Sequence, residues 1–148
     1  MTCTIVTTER TPTAVVKVDA PMNKLPEMQR TARSTLAAVV PTLDAGPVGL
    51  TCTRWRPPAN GTLAMEPGMI VSKAFAPAGE VVPSELPAGR AAHHVLKGPF
   101  DGLPGAWKIL FDWCAAEGLK LAGVNWEIYG VSQPDSSRQE TSLYALLA

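Results

Sequence analysis

The residues best suited to chemistry stand in one short run, VNWEIYGV, residues 124–131. Alternation along a strand places Val124, Trp126, Ile128 and Gly130 on one face, and Asn125, Glu127, Tyr129 and Val131 on the other. A buried carboxylate without a partner is costly, so Glu127 calls for neighbouring hydrogen-bond donors or for a ligand cation that completes the set. Tyr129, on the same face, offers a hydroxyl donor and an aromatic wall. Together they make the chemistry of a pocket for cationic aromatic molecules. Two plainer roles stand beside this one: a glutamate on a solvated strand face, or one paired with Arg54 or Arg90.

Other reactive residue types lack the company that chemistry needs. Glu66, in the strand-like LAMEPGMIVS, is the second candidate acid. His93 and His94 are adjacent, so they point to opposite sides of their strand, and no third ligand lies at metal-site spacing. Ser136 and Ser137 belong to the polar turn SQPDSSRQ, which has no nucleophile-elbow context. The chain contains no phosphate loop and no G-x-G-x-x-G, so neither a metal nor another cofactor is expected. Cys3, Cys52 and Cys114 are odd in number, far apart and outside any zinc or disulfide spacing, which makes reduced thiols in the cytoplasm the default.

Composition narrows the partners. The 148 residues carry no net charge, charged residues make up 18 %, and the pI is near 6.7, so nothing steers the chain toward DNA, RNA or an anionic membrane. The N-terminal MTCTIVTTER has neither a basic nor an apolar signal region, and no apolar run approaches the ~18 residues of a membrane helix. Fourteen prolines and twelve glycines imply many turns between short strands.

The elements that must position Glu127 recur in two copies. In DGLPGAWKILFDWCAAEGLK, Leu103, Trp107, Leu110 and Cys114 repeat at helical spacing, with Asp101 as N-cap, Pro104 in the first turn and Gly118 as the stop. NKLPEMQRTARSTLAAVVPTLDAG follows the same grammar, with Asn23 as the cap and Leu25-Pro26 matching Leu103-Pro104. Each segment runs on to an Ala-Gly pair, Ala45-Gly46 and Ala122-Gly123. A proline-introduced strand precedes each helix, PTAVVKVDAP and PAGRAAHHVLKGPF. Two strands follow each, GLTCTRW and LAMEPGMIVS, then VNWEIYGV and ETSLYALL. The expectation is an α+β fold: a tandem strand–helix–strand–strand repeat with pseudo-two-fold symmetry and an antiparallel sheet. Both helices would lie on one face, with a ligand groove on the other. The chain is then a single domain, 1–148, of two half-repeats, 1–77 and 78–148.

The order of motifs resembles the GyrI-like effector-binding domain, similar to the ligand-sensing C-terminal domain of AraC-type and MerR-type transcription regulators. The resemblance rests on LPAG (86–89), KGPFDGLPGAW (97–107), WEIY (126–129), the closing TSLYALL (141–147) and, in the first half, EPGMIV (66–71). It implies a pocket between the halves that accepts aromatic, often cationic, small molecules, with Glu127 facing that pocket. Phe100 stands where the family commonly has tyrosine, which removes one hydroxyl from the site. The chain shows no helix-turn-helix segment, so by itself it is not a complete DNA-binding regulator. Some stand-alone members of the family hydrolyse cyclopropane-bearing aromatic compounds.

The tryptophans divide. Trp107 lies on the Leu103/Leu110 stripe and reads as core, whereas Trp113 falls off that stripe and borders the groove. Trp126 points away from Glu127 if the strand is regular, which suggests packing beneath the helix, although a bulge would bring it into the site. Trp55 follows the strand that mirrors 124–131 and is a candidate pocket rim. By the repeat offset Leu50 takes the place equivalent to Glu127, so the half-sites are unequal, one apolar and one acidic. The expected ligand site is Glu127, Tyr129, Trp126, Phe100, Trp55, Trp113 and Glu66. The first hypothesis is a stand-alone binding protein for aromatic, cationic or amphipathic compounds, with a homodimer left open. The alternative is a hydrolase of electrophilic aromatic compounds in the same pocket, with Glu127 activating water and Tyr129 polarising the leaving group. Third comes a protein–protein inhibitor of a topoisomerase.

Overall fold

The computed structural model describes residues 2–148. Nine strands and two α-helices succeed one another as β1 (Thr4–Thr8), β2 (Thr11–Val16), β3 (Val18–Pro21), α1 (Leu25–Val39), β4 (Val48–Trp55), β5 (Thr62–Val71), β6 (Val81–Leu86), β7 (Gly89–Lys97), α2 (Leu103–Ala116), β8 (Leu121–Tyr129) and β9 (Glu140–Leu147). The class is α+β and every strand pairing is antiparallel. The sequence reading foresaw six strands. It missed β1 and β6, which precede the proline-introduced runs, and it merged β2 with β3, which part at Lys17. β6 contains Pro83, and as an edge strand that pairs with β2 it tolerates the missing N–H.

The strand order is β1-β7-β9-β8-β4-β5-β2-β6, with β3 alongside β5. Read linearly, six strand spacings separate β7 from β6, ~29 Å in a flat sheet. The chain joins them through Pro87 and Ala88 alone, a reach of at most ~11 Å. The same holds for β1 and β2 across Glu9 and Arg10. The sheet must therefore curl until its ends meet. The registers show how: Thr8 pairs with Gly89 and Thr11 with Leu86, so the two ladders continue one another without slippage. Residues 4–16 and 81–93 thus form one long ribbon that closes the sheet, and the Thr8 hydroxyl donates to the Pro87 carbonyl beside the crossing (2.9 Å).

Closure gives the sheet two unlike faces. On the helix-free face Cys52, Leu86, Ala91, Val124 and Trp126 pack together, with Val6, Ile70, Ile128 and Tyr144 around them. On the other, α1 buries Ala32 and Leu36 over Ala14, Val16 and Met65, while α2 buries Ala106, Trp107, Leu110 and Cys114 over Ala92, Leu143 and Ala145. Trp55 touches both helical clusters, so both helices lie on one face. Full burial of leucines such as Leu36 and Leu110 stabilises by about 1.5–3 kcal/mol each.

The helix ends differ from the sequence expectation in one respect. Asn23 and Asp101 do not cap; each sits inside a 3-10 turn, Met22–Lys24 and Phe100–Gly102, directly ahead of its helix. Those turns already engage backbone N–H groups, with Leu25 donating to Met22 and Leu103 to Phe100, so no side chain caps either α-helix. Pro26 and Pro104 do occupy the first turns. Gly118 ends α2 at φ +67°, with the Leu119 N–H donating to the Cys114 carbonyl (2.9 Å). Cys3, Cys52 and Cys114 are free thiols, and no helix among the described residues is long and apolar enough to cross a membrane.

Gly68, in the middle of β5, is where β2 presses closest. A Cβ there would lie 2.6 Å from the Ala14 carbonyl oxygen and 2.6 Å from Val15 Cγ1. Backbone in a two-sided ladder has nowhere to retreat. Gly68→Ala is expected to destabilise the fold by about 1–3 kcal/mol, read as a lower urea midpoint at unchanged slope. Wild-type stability of this variant would contradict the packing described.

Candidate functional site

β8 is regular from Asn125 to Tyr129, so alternation holds there, and Glu127 and Tyr129 share a face. That face is the helix-bearing one. Glu127 is only 8 % exposed, and its carboxylate accepts from Trp107 Nε1 of α2 at 2.6 Å and from the Tyr129 hydroxyl at 2.7 Å. The groove expected on the helix-free side is therefore not the one Glu127 faces. Its site lies between α1 and α2, because two helices resting on a curled sheet leave a trough between them.

Tyr129 passes the network across the β4–β8 seam. Its oxygen lies 2.8 Å from Thr53 Oγ1, and Thr53 is the cross-strand partner of Glu127. From α1, Arg33 Nη2 donates to Thr53 at 2.8 Å and Gln29 Nε2 at 3.2 Å. The directions follow from what each group can do. Arg33 and the Trp107 indole only donate, and Thr53, with donors arriving, passes its own proton to Tyr129. Tyr129 in turn donates to Glu127. One polarised chain thus runs from both helices into a single carboxylate, which satisfies the two-donor requirement of burial. Arg33 also bonds the Gly68 and Cys52 carbonyls, both at 2.7 Å, and its guanidinium stands 5.4 Å over the Tyr129 ring.

Beside this chain opens a cavity of about 430 Å³, lined by Gln29, Arg33, Thr51, Phe100, Leu103, Tyr129 and residues of the β8–β9 connection. That volume suits a drug-sized ligand. Phe100, half exposed, meets Tyr129 edge-on at 5.5 Å and forms the outer rim. Glu127 is not in the wall; it lies one hydrogen bond behind Tyr129.

The structure brings Glu127, Tyr129 and Phe100 together, as the sequence suggested, and separates the rest. Trp126 is buried on the helix-free face, stacked on Tyr144 at 5.3 Å, neither in the cleft nor beneath a helix. Glu66 pairs across the ladder with Arg54, which pairs with Trp126, so it too faces away from Glu127 and accepts instead from the Ser84 hydroxyl. Trp55 is half-buried, edge-on to Trp107 at 5.1 Å and away from the cavity wall, and Trp113 packs in the α2 cluster. Leu50 is exposed near the β4 bulge; Thr53 is the residue opposite Glu127. His93 stacks on Tyr144 at 4.6 Å while His94 is buried near the Thr2 carbonyl. Sequence reasoning missed Gln29, Arg33, Thr53 and the polar role of Trp107. The signal for the first was available: Leu25, Gln29, Ala32 and Leu36 share one helical stripe, so a polar group was destined for the buried side of α1.

A family model described as a GyrI-like small molecule binding domain matches residues 1–146. The chain belongs to the GyrI-like family. No curated protein is a significant match for its sequence. Among solved structures, this GyrI-like domain is similar to the EcmrR C-terminal domain, with a TM-score of 0.79 at 18 % identity, covering 99 % of this chain and 97 % of that one. In the EcmrR–DNA complex the match spans 57 % of that longer chain. SAV2435 bound to tetraphenylphosphonium aligns with a TM-score of 0.75 at 9 % identity, covering 100 % of this chain and 94 % of that one. A hydrolase encoded by lin2189 from Listeria innocua aligns at 0.67 and 13 % identity, covering 99 % and 91 %. At such identities these likenesses establish a shared fold.

Two groups of the GyrI-like domain tie this site to pH. Burial first, then the adjacent Glu127 carboxylate, raises the Tyr129 phenol above its ordinary 10.0, with Thr53 and Arg33 opposing in part. Burial pushes the Cys52 thiol from 9.0 up to about 12, Arg33 opposing and Glu66 adding. Unfolded, each group loses its proton near its ordinary value; folded, it holds on. The contribution of these two groups is thus intact below pH 9 and falls above it, first through Cys52, alongside the likewise raised Cys114 and Cys3 thiols, and from pH 10 also through Tyr129, by at most about 1.4 kcal/mol per pH unit for each group. Urea denaturation from pH 8 upward should show Tyr129→Phe losing the added slope above pH 10 and Cys52→Ala with a shallower fall from pH 9, the remainder coming from the Cys114 and Cys3 thiols, which burial also raises. A slope unchanged in both variants would disprove the assignment.

Proposed function

We propose that this GyrI-like domain binds aromatic, cationic or amphipathic small molecules in the cleft between α1 and α2, with Glu127 as the charged anchor and Tyr129 and Phe100 as its walls. The carrying observation is a carboxylate buried one hydrogen bond behind an aromatic wall that borders an open cavity. A negative charge so placed favours a cation that reaches the ring face, by attraction to both charge and ring quadrupole. The neighbour SAV2435, bound to tetraphenylphosphonium, supports the reading by analogy of fold. So does the division of labour: residues 1–77 contribute Gln29, Arg33 and Thr53, and residues 78–148 contribute Phe100, Glu127 and Tyr129, as a cleft shared by two half-repeats requires.

The hydrolase reading finds no comparable support. Both Glu127 oxygens are engaged by Trp107 and Tyr129, Glu66 faces the other way, and among the described residues no carboxylate lines the cleft. Glu127→Gln should weaken tetraphenylphosphonium binding on the order of ten-fold, through loss of a charge that acts across Tyr129 and not by direct contact. Neutral triphenylphosphine oxide should lose far less. Isothermal calorimetry on both proteins decides it: equal losses for the two compounds would remove Glu127 as the anchor.

A further inference from the structure

Arg33 is a cation that the cleft already contains. Its guanidinium lies within the ~6 Å over which a cation and a ring attract, at 5.4 Å from the Tyr129 centroid. It therefore stands on the aromatic face that a ligand cation would seek, and it lines the same cavity. An arginine stays charged at any working pH and its planar fork holds its geometry. Three bonds fix it: Nη1 to the Gly68 carbonyl, Nη2 to the Cys52 carbonyl and to Thr53. Of its five N–H groups, Nε and one on Nη1 have no partner among the described residues. Close by, Gln29 Oε1 is buried without a donor.

Resting on the reading of the cleft as a ligand site, we infer that Arg33 sets the charge class of what the cleft takes. Glu127 and Arg33 together leave the site without net charge. A lipophilic cation with nothing but its charge gains from Glu127, which lies behind Tyr129, and loses to Arg33, which stands in the wall itself. A compound that brings rings together with a hydrogen-bond acceptor or an anionic group meets Arg33 favourably, and a donor on the same compound can answer Gln29. Within the aromatic compounds proposed above, the favoured members are those that carry an acceptor or anionic group beside the cation, zwitterions included. Arg33 is thus a specificity-determining residue, whose removal turns the cleft toward plain cations.

Tetraphenylphosphonium and tetraphenylborate have nearly one shape and opposite charge, so the ratio of their dissociation constants isolates the electrostatic preference of the site. In the wild-type protein the borate should bind at least as tightly as the phosphonium. Arg33→Met should move the ratio toward the phosphonium on the order of ten-fold, while Arg33→Lys, which keeps the charge, should leave it within about three-fold. A wild-type preference for the phosphonium beyond about ten-fold overturns the inference, and needs no variant to fold. So does a ratio unmoved in folded Arg33→Met. If neither ion binds the wild-type protein, the cleft is not the ligand site proposed above, and the role of Arg33 falls with it. Binding of both ions with the wrong ratio overturns Arg33 alone.

Discussion

A carboxylate held out of water needs donors on every oxygen, and much of this molecule is arranged around supplying them to Glu127. One donor comes from α2 through Trp107, the other from its own strand through Tyr129. Tyr129 is held in turn by Thr53 of β4, and Thr53 by Gln29 and Arg33 of α1. A single buried charge thus couples both helices to the strands at the centre of the sheet. Loss of any link leaves a buried polar group unpaired, which costs more than the bond itself contributes. The network therefore ties both helices to one carboxylate and constrains how they sit on the sheet.

Closure of the sheet makes that docking available. The ribbon of residues 4–16 and 81–93 sends β1 to the side of β7 and β6 to the side of β2, so each part of the chain finishes the sheet of the other. The curl gathers an apolar cluster around Trp126 on the helix-free face and presents the other face to two helices with a trough between them. Glu127 and Thr53 sit on the β4–β8 seam at the floor of that trough. The tightest point of the weave is Gly68, whose carbonyl is one of the anchors of Arg33. Backbone packing and site geometry meet at one residue.

The resulting cleft differs from an acidic hole lined with rings. Its carboxylate is shielded behind Tyr129, its rim is Phe100, and a guanidinium shares the same wall. Likeness of fold reaches both a protein bound to tetraphenylphosphonium and a hydrolase. Fold thus leaves the chemistry open, and side chains such as Arg33 carry the distinction.

Glu127 and Tyr129 were legible as a pair because strand alternation is a local rule, and a carboxylate among apolar residues announces itself in the sequence. The helices were legible from their stripes, prolines and Gly118, and the family from its ordered motifs. Asn23 and Asp101 were misread as caps because a 3-10 turn ahead of a helix competes for the same N–H groups, and sequence does not say which wins. Trp126 and Glu66 carried the right chemistry on the wrong face, since the face that receives the helices is chosen by how the sheet curls. Gln29, Arg33 and Thr53 entered the site through contacts between residues far apart in the chain. The sequence by itself determined the family, the helices and the Glu127–Tyr129 pair, all set by rules that act over a few residues or by motif order. Tertiary structure alone decided which face holds the cleft, which donors meet Glu127 and that Arg33 shares its wall. Those depend on sheet closure, a property that no local segment possesses.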